Sequence, residues 1–397
     1  MQGFPPAYLR PLSGLILGAA ILSSCDKPKP IAPAPPPPPP PKVEPIPVSE
    51  PVVEMPPKVV RKPWMVFQLP TKNEALLTGD KDAYFMFVDR TTNGVTTQVS
   101  EGGQYGFVRD PKMASDGSIV YSRFHEGMDV ATVKRDAKGE PVDEVFAIAD
   151  GRVVYANAAA KSNYGNYVIV EHSTSDGPFY SLYAHLHHLH VVREQKVARG
   201  AVLGIMGHTG TGIDRRRAHT HVELNLLLNP RLAIWQMTAP PTVVVTTPPP
   251  PHGTPVPKPP PPPTLIGQNL VGLDIAGWLL ASQKEPELTL SAFIQRSPPY
   301  FKIRTPCLGQ ELEIAQRYPW LRAPGPMGQA WEISIAASSV PLKIEPLQEK
   351  VEFTTVSWVQ PFVGNHAWKS REMLSGSGST ATLSRHGQEY LKLLLGQ

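Results

Sequence analysis

Twenty-nine of the 47 prolines are crowded into two stretches, Pro28 to Pro63 and Pro240 to Pro263, and this crowding decides where 397 residues can fold. Proline lacks an amide hydrogen and has a fixed φ, so such stretches build neither helix interior nor central strand and default to extended polyproline II. The chain also exceeds the roughly 250 to 300 residues at which single cores stop growing. The expected organisation is segmental: 1–25 a signal segment, 26–63 a disordered Pro-rich linker, 64–122 an N-terminal segment, 123–237 a central domain, 238–264 a second disordered linker or insertion, and 265–397 a C-terminal region. At about 3.1 Å per residue, Lys27 to Pro63 reaches up to roughly 115 Å, a stalk that suits a polymer substrate better than a diffusing metabolite.

The N-terminus reads as an address. After Arg10, the apolar run Leu12 to Leu22 is too short to cross a bilayer, which takes about 20 apolar residues. It closes in Leu22-Ser23-Ser24-Cys25, which resembles the lipobox of bacterial lipoproteins. That resemblance implies cleavage before Cys25, a lipid on its thiol, and a protein tethered on the periplasmic side of the inner or outer membrane. Only Cys25 and Cys307 are present, so disulfides do not organise the fold and no cysteine-based metal site is available. A formal charge of +4, with no dense basic stripe interleaved with aromatics, argues against nucleic acid as a partner.

Between Val145 and Leu228 the pattern is β. Val145 to Ala149 and Val153 to Ala156 are rich in branched residues and are joined through Asp150-Gly151, which predicts a hairpin. Tyr167 to His172 and Phe179 to Leu186 flank the turn chemistry of Asp176-Gly177-Pro178 and predict a second. Val202 to Met206 and Thr220 to Leu226 add strands, with no long 3.6-residue period between them.

Nine of the twelve histidines lie between His125 and His221. On a strand, His219-Thr220-His221-Val222-Glu223 puts His219, His221 and Glu223 on one face, where neighbouring imidazoles can serve as a metal ligand and an acid/base group. His125-Glu126-Gly127-Met128-Asp129 sets an imidazole and a carboxylate four apart around a glycine, and a turn there brings both to one ion. A catalytic zinc takes three such ligands and keeps a fourth position open; His125, Asp129 and His221 meet that count.

Four ordered motifs, His125 to Asp129, Tyr164 to His172, Tyr183 to Leu186 and His219 to Glu223, resemble the lysostaphin and LytM type zinc endopeptidases, as does the glycine-rich approach from Gly200 to Gly212. The resemblance covers about a quarter of the chain. It implies a mainly β fold with an antiparallel peptidase core of the duplicated hybrid motif type; it says little about residues after 235, where the sequence pattern itself reads as a small mixed α/β C-terminal region. It also implies one zinc per chain on His125, Asp129 and His221, with His185 and His219 handling protons or steadying the transition state, and peptidoglycan peptides as substrate. Some members of the family have lost these ligands and activate wall amidases instead, whereas this sequence keeps them all. It departs from the usual pattern at Ile213 to Ala218, where a small Ser/Thr-Gly-Pro turn is commoner; the departure concerns substrate contacts, not the metal.

The remaining histidines carry weaker expectations. His187, His188 and His190 are read as loop decoration, His172 as a hydrogen-bonded structural residue and His208 as a candidate for lining the cleft. Glu223 is a candidate for orienting one imidazole. The 64–122 segment, with Phe67, Tyr84, Phe85 and Phe107, is expected to pack on the β core and narrow the cleft. In the C-terminal region, Leu270 to Leu280 is expected to be helical, with strands at Trp331 to Ile335 and Val351 to Val359.

Overall fold

The computed structural model describes residues 65–92, 94–158, 162–230 and 269–396. The lipobox with Cys25, both proline-rich stretches and Asn93 lie outside the described residues. Among those described, no helix is long and apolar enough to cross a membrane.

The architecture is mainly β and antiparallel. Strands β1 (Val88–Thr92) and β2 (Val95–Val99) form one ribbon, and β3 (Gly106–Met113) and β4 (Ile119–His125) a second. Then follow β5 (Met128–Ala131), β6 (Glu144–Phe146), β7 (Gly151–Asn157), β8 (Tyr167–Thr174), β9 (Gly177–Ala184), β10 (His188–Leu189), β11 (Lys196–Val197), β12 (Val202–Ile205), β13 (His219–Leu227) and β14 (Leu270–Leu273). The main sheet runs β11-β7-β8-β9-β13-β14, with β5 also paired to β13, and β10, β12 and β6 make a smaller sheet. C-terminal strands β15 (Pro299–Pro306), β16 (Ala330–Ala336), β17 (Pro341–Leu347) and β18 (Thr355–Val359) form a further sheet in the order β17-β16-β15-β18, accompanied by helices that include Ile275–Lys284 and Arg385–Leu395.

Strand β13 organises the whole. One edge pairs with β9; the other is shared, His219 to Val222 pairing with β5 and Leu224 to Leu227 with β14. Every residue of β13 is buried. Its apolar face, Val222, Leu224 and Leu226, enters a core that also holds Tyr84 and Phe85 from the N-terminal segment and Trp278, Tyr318 and Trp331 from the C-terminal region. Burying each such aliphatic side chain contributes roughly 1.5–3 kcal/mol. The three stretches of chain therefore share one hydrophobic cluster.

Two local expectations fail. Val145 to Ala156 is not a hairpin: β6 pairs with β12, while β7 pairs with β8 and β11, so the chain changes sheets at Asp150-Gly151. Gly151 is absent from the positive-φ residues; what requires glycine is the close approach of the Glu171 carbonyl. The Asp150 carboxylate accepts from Arg199 N at 2.7 Å and fixes the junction. Leu270 to Leu280 is not wholly helical either, because Leu270–Leu273 extends the main sheet. The helix starts at Ile275, where Asp274 caps it by accepting from Gly277 N at 2.9 Å. The second predicted hairpin forms as β8 and β9, and the C-terminal strands fall at Ala330–Ala336 and Thr355–Val359.

Candidate metal centre

Strand register assembles the site. On β13, His221 lies directly across from Asp129 on β5 and, on the other side, from Ala184 at the end of β9, which is followed at once by His185. His125 ends β4, and the turn to β5 passes through Gly127, where any Cβ would strike the Val222 carbonyl oxygen. The glycine of the His125 to Asp129 motif lets the turn lie flat on β13.

Three donor atoms converge. His125 Nε2 lies 3.0 Å from His221 Nδ1 and 3.1 Å from Asp129 Oδ1, and His221 Nδ1 lies 2.8 Å from the same oxygen. Ligands about 2.0–2.1 Å from a tetrahedral zinc stand roughly 3.3 Å apart, close to this triangle. The outward atoms are occupied. His125 Nδ1 meets the Gln104 carbonyl at 2.9 Å, and His221 Nε2 meets Glu223 Oε1 at 2.8 Å. Asp129 Oδ2 accepts from Arg109 Nη2 at 2.7 Å. Carbonyl and carboxylate oxygens only accept, so both rings must point their N–H outward. In the neutral rings, every inward atom is then a lone-pair donor.

The charge balance also calls for a cation. Asp129 and Glu223 are both buried, at 3% and 2% exposure, with His221 between them. Burial disfavours charge on His221, yet the hydrogen bonds to Asp129 and Glu223 prevail and carry its pKa up to about 10. A proton on Nδ1 there stands in the place of a metal ion. Burial likewise opposes ionisation of Asp129, but the imidazoles of His125 and His219 outweigh it and hold the carboxyl well below the usual range. Burial pushes His125 down, against the pull of Asp129. The residues present therefore fit a divalent ion held by two nitrogens and one oxygen. Among the described residues, His125, Asp129 and His221 form the one group with metal-binding geometry.

Two further imidazoles border the cage. His185 Nδ1 meets the Thr209 carbonyl at 2.9 Å, and His219 Nδ1 meets the Arg217 carbonyl at 2.5 Å. Each keeps its Nε2 for the centre, that of His219 lying 3.5 Å from Asp129 Oδ1. The His185 and His219 rings are 4.8 Å apart. His185 also adopts φ +63°, a left-handed conformation rare outside glycine and common where a side chain is held for function. Burial, with His219 and His221 adding to it, pushes its pKa to about 3, so the ring is neutral. All five residues line a cleft of about 890 Å³, walled by β1, by the β3–β4 ribbon and by the segment around Thr211 to Arg217.

The other histidines stand elsewhere. His187, His188 and His190 are exposed, and His172 is buried between the Asp150 carbonyl at 2.8 Å and Ser181 Oγ at 2.7 Å. His208 pairs with Glu140 at 3.0 Å and does not line the cleft. Glu223 does orient His221, and is itself held by Tyr164 OH at 2.8 Å and Asn225 Nδ2 at 3.0 Å. Sequence reasoning missed Gln104 and Arg109. One acts through its backbone carbonyl and the other through a side chain that reaches Asp129 from a separate ribbon, so neither leaves a pattern to read. Arg371, which binds Glu126 at 2.6 Å from 245 residues downstream, was equally invisible.

Residues 123–230 match the peptidase family M23. The lipoprotein NlpD of Yersinia enterocolitica is 37% identical over 75 residues, 19% of this chain and 70% of that protein. The chain belongs to peptidase family M23. The chain is also 37% identical over 91 residues to the murein hydrolase activator NlpD of Escherichia coli (strain K12), covering 23% of this chain and 21% of that one. The chain thus spans about a fifth of the E. coli relative's length. Among solved structures, the catalytic domain of the antimicrobial peptidase lysostaphin from Staphylococcus simulans is 25% identical, covering 30% of this chain and 76% of that one with a TM-score of 0.21. A zinc-containing peptidase from Vibrio cholerae is 24% identical, covering 35% and 43% with a TM-score of 0.20.

Proposed function

We propose that this M23 protein is a membrane-tethered zinc metalloendopeptidase that hydrolyses peptide bonds in peptidoglycan, in cross-links or stem peptides. The observation that carries the reading is the complete cage: three buried donors with their lone pairs turned inward, each held from behind by a hydrogen-bonding partner. His125, Asp129 and His221 would hold the ion. When bound, zinc lowers the pKa of a water molecule to about 7 and polarises the carbonyl under attack.

The remaining steps belong to the chain. His185, neutral and with its Nε2 available, accepts a proton from the attacking water and returns one to the leaving amine. His219, fixed by the Arg217 carbonyl, places its Nε2 beside the centre, where as an imidazolium it donates to the developing oxyanion. The cleft of about 890 Å³ is ample for a short peptide segment. Tethering rests on the lipobox at Cys25 and accords with the name of the Yersinia relative, a lipoprotein.

A second reading, that the protein activates other wall hydrolases, is favoured by the name of the E. coli relative, a murein hydrolase activator. One experiment separates the two. Purified protein is incubated with cross-linked sacculi, with zinc and after chelation, and released muropeptides are resolved by mass spectrometry. Zinc-dependent products supports the peptidase; none from the wild type, with stimulation of an added amidase, would leave only the activator.

A further inference from the structure

The β3–β4 ribbon sets two arginines opposite one another. Arg109 pairs with Arg123 across it, so both side chains leave the same face, and both line the cleft. Like charges directly opposite each other destabilise a ribbon. Arg109 is compensated by Asp129 at 2.7 Å and the Gly102 carbonyl at 2.8 Å. Arg123 is exposed and makes no ion pair or side-chain hydrogen bond with any described residue. Arg217, also lining the cleft, gives its Nε to the Phe87 carbonyl at 3.2 Å, while its terminal nitrogens have no partner among the described residues.

Among the acidic groups of the cleft, Asp89 is held below the usual carboxylate range by its hydrogen bond to Arg216, and Arg217 is near enough for its charge to help, but Asp89 makes no hydrogen bond or ion pair with Arg217. Asp89 is bound to Arg216, Glu126 to Arg371, Asp129 to Arg109 and Glu223 to His221. Asp110 lines the same cleft yet forms no ion pair with Arg123 or Arg217. Two guanidinium groups with free N–H donors thus border the metal centre, one of them held against a like charge.

We propose that Arg123, together with Arg217, forms an anion subsite that takes a carboxylate of the substrate peptide flanking the bond to be cut. Guanidinium groups match carboxylates with paired N–H donors, and the subsite shares its cleft with the metal centre, so the anion belongs to the molecule whose amide reaches that centre. The inference rests on the peptidase reading and narrows it to acidic peptides.

The test uses two synthetic wall-type peptides that differ only in carrying a free carboxylate or its carboxamide beside the target bond. Binding is measured by calorimetry on the zinc-loaded full chain carrying His185→Ala, and turnover on the zinc-loaded wild type. The carboxylate peptide should bind about tenfold tighter, as expected for hydrogen bonds to a charged group. Arg123→Gln should bring the ratio close to one, and Arg123→Lys should restore part of it. Equal affinity for the two peptides, no binding of either, or a ratio unmoved by Arg123→Gln overturns the subsite. Discrimination in binding without cleavage of either peptide sinks the peptidase reading and leaves the subsite standing. Equal binding with equal cleavage does the reverse. Because the comparison on the unaltered ribbon varies only the peptide, it does not depend on how the Arg123 variants fold.

Discussion

Arg109 Nη2 lies 2.7 Å from Asp129 Oδ2, which ties a residue outside the M23 match at 123–230 to a candidate ligand inside it. The guanidinium fixes one carboxylate oxygen and thereby aims the other at His125 and His221. Partners of this kind typically contribute 10- to 100-fold to metal affinity. Arg109→Ala is expected to weaken zinc binding about tenfold, with Arg109→Lys between it and the wild type, in a competition titration against a chromogenic chelator. An unchanged affinity in Arg109→Ala would show that Asp129 needs no support.

Replacing ligands and replacing proton carriers should have different signatures. His125→Ala, Asp129→Ala and His221→Ala are each expected to lose bound zinc, read by elemental analysis, and activity with it. His185→Ala and His219→Ala should retain about one zinc per chain and lose roughly 10²- to 10⁴-fold in turnover. Zinc at a hundred times its dissociation constant should stabilise the wild type by about 2.7 kcal/mol through binding only the folded state, and His221→Ala not at all. Thermal melts with and without chelator measure this.

His172 predicts a pH dependence of stability away from the metal. Burial lowers its pKa from 6.5 to about 4, so the folded protein holds it neutral while the unfolded chain protonates it more readily. This contribution is complete above about pH 6.5, falls as the pH drops, and is gone below about pH 4, a loss of roughly 3 kcal/mol. Denaturant titrations across that window should show the slope, and His172→Gln should reduce it.

The C-terminal region is expected to be indispensable for folding. Strand β14 covers Leu224 to Leu227, Tyr318 OH donates to the Pro178 carbonyl at 2.7 Å and accepts from Leu227 N at 2.8 Å, and Arg317 binds the Leu227 and Leu228 carbonyls, each at 3.1 Å. A chain ended after residue 230 would expose a hydrophobic strand edge, a template for aggregation. It should be insoluble or melt without cooperativity; a soluble, cooperatively melting fragment would contradict this.

How much of this was legible beforehand depended on the range of the signal. The alternation His219, His221, Glu223 placed three side chains on one face, and strand geometry alone delivered that. The turn at Gly127 was equally local. Partners that act across distant pairings, such as the Gln104 carbonyl, Arg109 and Arg371, leave no mark in the order of residues. Asp150-Gly151 misleads because glycine can serve either of two purposes indistinguishable in sequence, a positive φ or a close neighbour, and Gly151 serves the second. Leu270 to Leu273 reads as helix in sequence because its apolar run joins a capped helix without a break, although Asp274 marks the boundary.

The divided edge of β13 bears on the order in which the protein becomes competent. Residues 219–227 leave the ribosome before residues 270–273, yet the strand bearing His219 and His221 stays open on one side until those later residues arrive. Synthesis proceeds from the N-terminus, so the half of β13 that follows the candidate metal centre lacks its outer partner until the polypeptide has been made as far as residue 273.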